Sequence, residues 1–208
     1  MIIVTGATGA LNGATVDYLL QRMPAEELVV AVRDPAKAQR FADRGVGVRR
    51  GDYADPNSLP AAFDGADQLL LVSSSDPKAD AVSLHRAAID AAVAAGVGRI
   101  LYTSHQGAAA DTPFGPGRDH AATEQLLSES GLVWTSLRNG FYAHSLNWLL
   151  GPWRKTGLIT VPAEDIVVAV RDPVKAQRLA DRGVGVRRGD YADPNSLPAA
   201  FDGADQLL

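Results

Sequence analysis

The sequence predicts an α/β protein built on a doubly wound parallel sheet covered by helices on both faces. Three observations carry that expectation. Short apolar runs alternate with segments of helical periodicity six times between Met1 and Leu137. The runs are apolar at successive positions, as in strands buried on both faces. A glycine-rich turn separates the first run from the first helical segment.

Each element has its own local reason. Met1 to Val4 is apolar and leads into Thr5-Gly6, a buried strand entering a glycine turn. Leu11, Val16, Leu19, Leu20 and Met23 then recur at helical spacing within Ala10 to Met23. The valine-rich stretch Leu28 to Val32 predicts a second strand, and Pro35 to Asp43 a helix with proline in its first turn. Val46 to Arg49 is the third strand. Asp55-Pro56-Asn57-Ser58 opens a short helix reaching Phe63, and Gln68 to Val72 is the fourth strand. The alanine-rich helix Ala79 to Ala95 is closed by Gly96. Arg99 to Thr103 follows as the fifth strand, Arg118 to Ser130 as a helix closed by Gly131, and Val133 to Leu137 as the sixth strand.

Composition narrows the classes of function. The chain has 208 residues, of which 46% are hydrophobic and 21% charged, so it has the means to bury a core. A net charge of −4 gives no broad attraction to nucleic acid or anionic membrane. There is no cysteine, which excludes disulfides and thiolate chemistry and fits a reducing, cytoplasmic setting. No apolar run approaches the length of a membrane span. Met1-Ile2-Ile3-Val4 lacks a basic segment and is read as a strand, not a leader.

Residues Pro24 to Leu70 recur as Pro162 to Leu208, differing only at Glu27/Asp165, Leu28/Ile166, Ala36/Val174 and Phe41/Leu179. Two copies do not make a solenoid. The second copy includes Arg171, Asp172, Lys175, Asp190 and Tyr191 but has no glycine turn of its own, so it cannot build a second phosphate site. Three fates are open to it: an added unit, exchange with the first copy of another chain in a segment-swapped homodimer, or partial unfolding. A packed but marginal extra unit is expected.

The turn Thr5-Gly6-Ala7-Thr8-Gly9-Ala10-Leu11 follows a strand and opens a helix. Glycine permits positive φ and close backbone approach to a pyrophosphate, and the helix N-terminus adds unpaired donors. The third glycine of the usual spacing is replaced by Asn12, with Gly13 one place late. Weakened packing or affinity is expected from that replacement. The second strand ends in Val32-Arg33-Asp34-Pro35, with Lys37 one turn on. A carboxylate there would hold the ribose hydroxyl of NAD, and a cation the additional phosphate of NADP. Arg33 and Lys37 together favour NADPH over NADH. Asp52 after the third strand is a candidate for the adenine amino group, and Ser73, Ser74 and Ser75 after the fourth for the ribose–pyrophosphate channel.

With Val32-Arg33-Asp34-Pro35-Ala36-Lys37-Ala38, Gly51-Asp52-Tyr53 and Leu137-Arg138-Asn139-Gly140-Phe141-Tyr142, these segments resemble the NmrA-like atypical short-chain dehydrogenases. Among those, the likeness is greatest to the type 2 NAD(P)H:quinone oxidoreductases, from Met1 to about Glu164. The resemblance implies an NAD(P)-binding Rossmann-like domain over residues 1–161, with residues 162–208 standing in place of the family's C-terminal region. Some of the sheet and most of the substrate lobe are therefore expected to be missing. It also implies cofactor contacts at Gly6, Ala7, Thr8, Gly9, Ala10, Leu11, Arg33, Ser73, Ser74 and Ser75, and along Leu137, Arg138, Asn139, Gly140, Phe141 and Tyr142. The activity implied is reduction of a quinone by NADPH.

No tyrosine is followed four residues later by lysine, so the proton-passing pair of ordinary short-chain dehydrogenases is absent. Quinone reduction depends on it less, because the oxyanion formed is comparatively stable and orientation carries much of the rate. His120 is a candidate proton donor. Tyr142 is a candidate to close over the nicotinamide, and Gln106, beside His105 after the fifth strand, to orient the quinone. His85 and His144 are read as scaffold. Trp148 and Trp153 are read chiefly as packing residues. The histidine spacing suggests no metal site. A regulatory protein that senses the dinucleotide without turnover is the alternative function.

Overall fold

The computed structural model describes residues 1–74, 76, 78–142, 167–190 and 192–202. The chain divides into two compact units, Met1–Tyr142 and Ala143–Leu208. In the first unit the elements run β1 (Ile2–Thr5), α1 (Ala10–Leu19), β2 (Leu28–Val32), α2 (Gln39–Ala42), β3 (Gly47–Arg50), α3 (Leu59–Phe63), β4 (Gln68–Leu71), α4 (Ala81–Ala94), β5 (Arg99–His105), α5 (Gly115–Glu129) and β6 (Val133–Asn139). Single 3-10 turns, Pro35–Ala38 and Pro56–Ser58, lead into α2 and α3. Proline at the start of each turn supplies a φ suited to helix entry and lacks an N–H that would go unpaired there.

The six strands form one sheet in the order β3-β2-β1-β4-β5-β6. Every pairing is parallel, with Ile2 opposite both Leu28 and Gln68. The order reverses between β1 and β4, and ligands of open α/β sheets bind at that switch point, beyond the carboxyl ends of the strands. The last pair of this sheet, β5 and β6, runs to His105 and Asn139 and is in register over seven residues.

One core lies on each face. Ile3, Val29, Leu59, Phe63, Leu69, Leu71, Ile89, Ile100 and Tyr102 fill one. Val4, Val16, Leu28, Val30, Val32 and Phe41 fill the other. Alternate residues of β1 and β2 divide between them, which is why these strands are apolar at every position.

The second unit forms β7 (Val167–Val170), α6 (Gln177–Ala180), β8 (Gly185–Arg188) and α7 (Leu197–Phe201), with β7 and β8 paired in parallel as a separate two-stranded sheet. No helix among the described residues is long and apolar enough to cross a membrane.

Candidate functional site

Parallel pairing brings Thr5, Val32, Arg50, Leu71, His105 and Asn139 to one edge of the sheet. Of the described candidates, Leu137, Arg138 and Asn139 end β6, and the others lie on turns leaving that edge or, as His120 does, near the start of a helix that follows a strand.

The turn after β1 is built for glycine. Gly6 has φ +64°, and a Cβ there would lie 2.5 Å from Val72 Cγ1, so neither conformation nor space admits a side chain. The Gly9 N–H donates to the Gly6 carbonyl at 2.9 Å, and Gly9 caps α1 with no side-chain bond. The first N–H groups of α1 therefore have no side-chain cap among the described residues, and the first turn carries no acidic side chain. Ala7 is buried, Thr8, Gly9 and Ala10 are exposed, and Leu11 is half-buried. A cradle that a Cβ would fill, lined by open donors, fits a diphosphate.

The replacement at Asn12 has a cost and a compensation: its Oδ1 is buried with no hydrogen-bond partner among the described residues, while its Nδ2 is bonded. Asn12 is 1% exposed, and its Nδ2 donates to the Thr5 carbonyl at 2.6 Å, tying helix to strand. The close approach falls to Gly13, where a Cβ would lie 3.0 Å from the Ala7 carbonyl oxygen. The late glycine keeps the packing function, and asparagine adds a bond that glycine could not make.

At the tip of β2 the charges are sorted. Asp34 accepts the Ala36 N–H at 3.1 Å and pairs with Lys37 at 3.7 Å, so it serves the turn. Arg33 is exposed and has no hydrogen bond or ion pair among the described residues. After β3, Asp52 accepts the Ala54 N–H at 3.0 Å. The adjacent Tyr53 hydroxyl lies 2.7 Å from Thr5 Oγ1 and 3.1 Å from the Val72 carbonyl oxygen. Thr5 in turn donates to the Leu70 carbonyl and accepts the Val72 N–H. Burial pushes the Tyr53 phenol well above its ordinary range, which keeps it a donor.

The segment after β4 is held from behind. The Ser73 N–H donates to Thr103 Oγ1 at 2.9 Å. The Ser74 N–H donates to His85 Nε2 at 2.7 Å. Because Nε2 accepts, the neutral ring carries its proton on Nδ1, which lies 2.8 Å from Thr123 Oγ1; Thr123 then donates to the Asp119 carbonyl. Burial, with His120 nearby, pushes His85 down to about 4. His85 is thus a neutral scaffold residue that orders Ser74. Ser75 lies outside the described residues, as do His144, Trp148, Trp153 and Tyr191.

β5 and β6 bring Gln106 and the Asn139–Tyr142 stretch together. The Gln106 N–H donates to the Asn139 carbonyl at 2.8 Å, and a Cβ on Gly140 would lie 3.4 Å from Gln106 Oε1. Asn139 Nδ2 donates to the Tyr142 hydroxyl at 3.0 Å, and burial raises that phenol. Leu137 is half-buried against the core. Arg138 turns to Glu124, donating through Nε at 3.0 Å and Nη2 at 2.5 Å, so its guanidinium is engaged by protein. Ser104 and Ser136 also donate to Glu124. Burial pushes the Glu124 carboxyl up, but the bonds from Arg138, Ser136 and Ser104 outweigh it and hold the group at about 2.

His120 Nδ1 lies 2.8 Å from the Tyr102 hydroxyl, and its ring lies parallel to His105 at 6.1 Å. Burial lowers the His120 pKa, and His105 adds to the effect. Phe114 and the exposed Phe141 complete a row of rings at this edge. Reading the sequence did not single out Phe114, Glu124 or the Thr5–Tyr53–Val72 tie. Glu124 was within reach, because it shares a helix face with His120 at four-residue spacing. Phe114 carried no local signal. The groove lined by Arg86, Ile89, Val93, Leu126 and Glu129 lies toward the C-terminal ends of α4 and α5, at the opposite edge of the sheet.

The family described as NAD(P)H-binding matches residues 6–145. Quinone oxidoreductase 2 of Escherichia coli is 46% identical over 148 residues, covering 70% of this chain and 50% of that protein. An NmrA-like family domain-containing oxidoreductase of Aspergillus flavus is 33% identical over 167 residues, covering 78% and 54%. This chain thus spans about half the length of these two curated relatives. An NADPH-dependent quinone oxidoreductase of Escherichia coli, crystallised with NADPH, superposes with a TM-score of 0.67 at 30% identity, covering 100% of this chain and 84% of that one.

Proposed function

The chain belongs to the NAD(P)H-binding, NmrA-like family, and on that footing we propose that it is an NADPH-dependent oxidoreductase passing hydride to a quinone. The observation that carries this reading is the Gly6 turn, closed to any side chain, together with Arg33, unpaired among the described residues and just past the end of the next strand. In this reading Gly6, Ala7, Thr8, Gly9, Ala10 and Leu11 take the pyrophosphate. Arg33 takes the additional phosphate of NADPH, with Lys37 assisting where Asp34 releases it. Asp52 faces the adenine, Ser73 and Ser74 line the ribose side, and Asn139, Gly140 and Tyr142 border the nicotinamide. Bound NADPH supplies a hydride to an electron-poor ring. Gln106 orients the acceptor, His120 delivers the proton and Tyr142 covers the reacting face. Without cysteine, the chain suits the cytoplasm. Exchange of the repeated segment would make the functional form a homodimer, which sedimentation would detect as a doubled mass.

The second reading is a dinucleotide sensor without turnover; the missing tyrosine–lysine pair is compatible with it as with the reductase. Fluorescence titration with NADPH, with and without a quinone, separates the two. Binding with oxidation supports the reductase, binding alone the sensor, and no binding refutes both. In the same assay Arg33→Ala is expected to weaken NADPH about tenfold or more while leaving NADH nearly unchanged.

A further inference from the structure

His105 presents a polar atom that the protein does not use. Its Nδ1 accepts the Gly107 N–H at 3.0 Å, so the neutral ring must carry its proton on Nε2. Nε2 is buried and has no hydrogen-bond partner. A buried donor left without an acceptor is unfavourable and calls for an explanation. The residue ends β5, next to β4, whose exit carries Ser73 and Ser74. The rings around it are Phe141 at 4.9 Å, edge to face, Phe114 at 5.3 Å and His120 at 6.1 Å. Phe141 and Phe114 are 45% and 37% exposed, unusual for two phenylalanines in contact at a sheet edge.

We propose that His105 Nε2–H is the hydrogen-bond donor for a carbonyl oxygen of a planar aromatic dione, whose ring displaces Phe141 from His105 and packs against Phe114. The proposal rests on the reductase reading and adds the residue that meets the acceptor's oxygen. In the reaction the dione gains a hydride, two electrons and one hydrogen, as the cofactor is oxidised. The cofactor's C–H bond breaks as the hydride bonds to the oxygen of the second carbonyl, and the π electrons shift through the ring so that the charge rests on the oxygen held by His105, giving the hydroquinone anion. His105 holds that oxygen and keeps its own proton, because Nδ1 is occupied by Gly107 and loss of the Nε2 proton would leave an imidazolate. The proton that completes the hydroquinone comes from water or from the imidazolium form of His120, which returns to the neutral ring.

The test is infrared difference spectroscopy of menadione bound to the whole chain, with and without NADP⁺. The wild type should lower one carbonyl stretching frequency. His105→Gln, which retains an N–H donor, should keep part of the shift, and His105→Leu should abolish it and weaken menadione about tenfold. Phe141→Ala should keep the shift. An unshifted carbonyl in the wild type, an equal shift in His105→Leu, or no menadione binding overturns the proposal. If His105→Leu fails to fold, an unchanged frequency in His105→Gln relative to free menadione overturns it equally. NADPH affinity, measured separately by fluorescence, should be the same in the two His105 variants as in the wild type. Its absence in the wild type would refute the cofactor reading without altering the carbonyl result obtained in the absence of cofactor.

Discussion

Residues 24–70 and their repeat show how much local structure one sequence carries, and how little burial. Arg50 pairs with Asp55 at 2.8 Å, and Arg188 with Asp193 at 3.5 Å. The Asp52 N–H donates to Ser58, and the Asp190 N–H to Ser196, both at 2.9 Å. Gly45 and Gly183 adopt φ +84° and +86°. Strand, 3-10 turn, short helix and strand recur in the same register. Burial recurs only in part: Ala176 and Ala200 are buried like Ala38 and Ala62, but the larger residues are not. Ala31 is buried while Ala169 is exposed, and Leu59 and Phe63 are fully buried while Leu197 and Phe201 are only partly so. The first copy packs against β1 and α4, and its side chains take part in both cores. Among the described residues, β7 and β8 pair only with each other. Turn chemistry is therefore short-range information, whereas stability comes from partners supplied by the rest of the chain.

That contrast can be broken most directly at identical residues. Phe63→Ala should cost about 3–5 kcal/mol and Phe201→Ala about 1 kcal/mol, read as loss of unfolding free energy in urea. Equal losses would mean the second copy has a core of its own. Next in size is a pH effect confined to the first unit. His85 is neutral when folded, so the unfolded chain binds the extra proton between pH 6.5 and about 4. Stability is complete above that window and falls as the pH drops through it, by up to about 3 kcal/mol. His85→Leu should flatten the pH dependence in that window, and the described part of the repeat, which contains no histidine, should show no such slope. The charged tips sharpen the comparison further. Arg33→Ala should weaken NADPH by about 1.5–3 kcal/mol in a fluorescence titration, and Arg171→Ala should leave it unchanged, because the repeat has no glycine turn. The smallest effect is expected at Asn12→Ala, about 1 kcal/mol lost in thermal unfolding, as the bond to the Thr5 carbonyl disappears.

Much of the architecture was legible in advance because its causes are local. The run Leu28 to Val32 is a strand over the predicted span, and Gly96 and Gly131 close their helices with positive φ. Boundaries moved where neighbours intervened. β5 and β6 extend beyond Thr103 and Leu137 because they pair with each other as far as His105 and Asn139. Nearly all the candidate residues could be named from the glycine turn and the strand tips. Their working state could not. Arg138 reads as a free cation until Glu124 is seen beside it, and Asp34 reads as a ribose ligand until it caps its own turn.

The sequence by itself determined the order of elements, the glycine turn and the charges at each strand end, since periodicity, φ preference and capping act over a few residues. Only the tertiary structure decided which protons and partners these groups have. His85 meets Ser74 and Thr123, Tyr53 meets Thr5, and His105 is left with an unanswered N–H, through contacts that span up to 48 positions of chain. The same separation of scales explains the repeat. One sequence folds the same way twice, but only the copy paired with β1 buries its leucine and phenylalanine fully, because desolvation depends on what surrounds a residue and not on the residue alone.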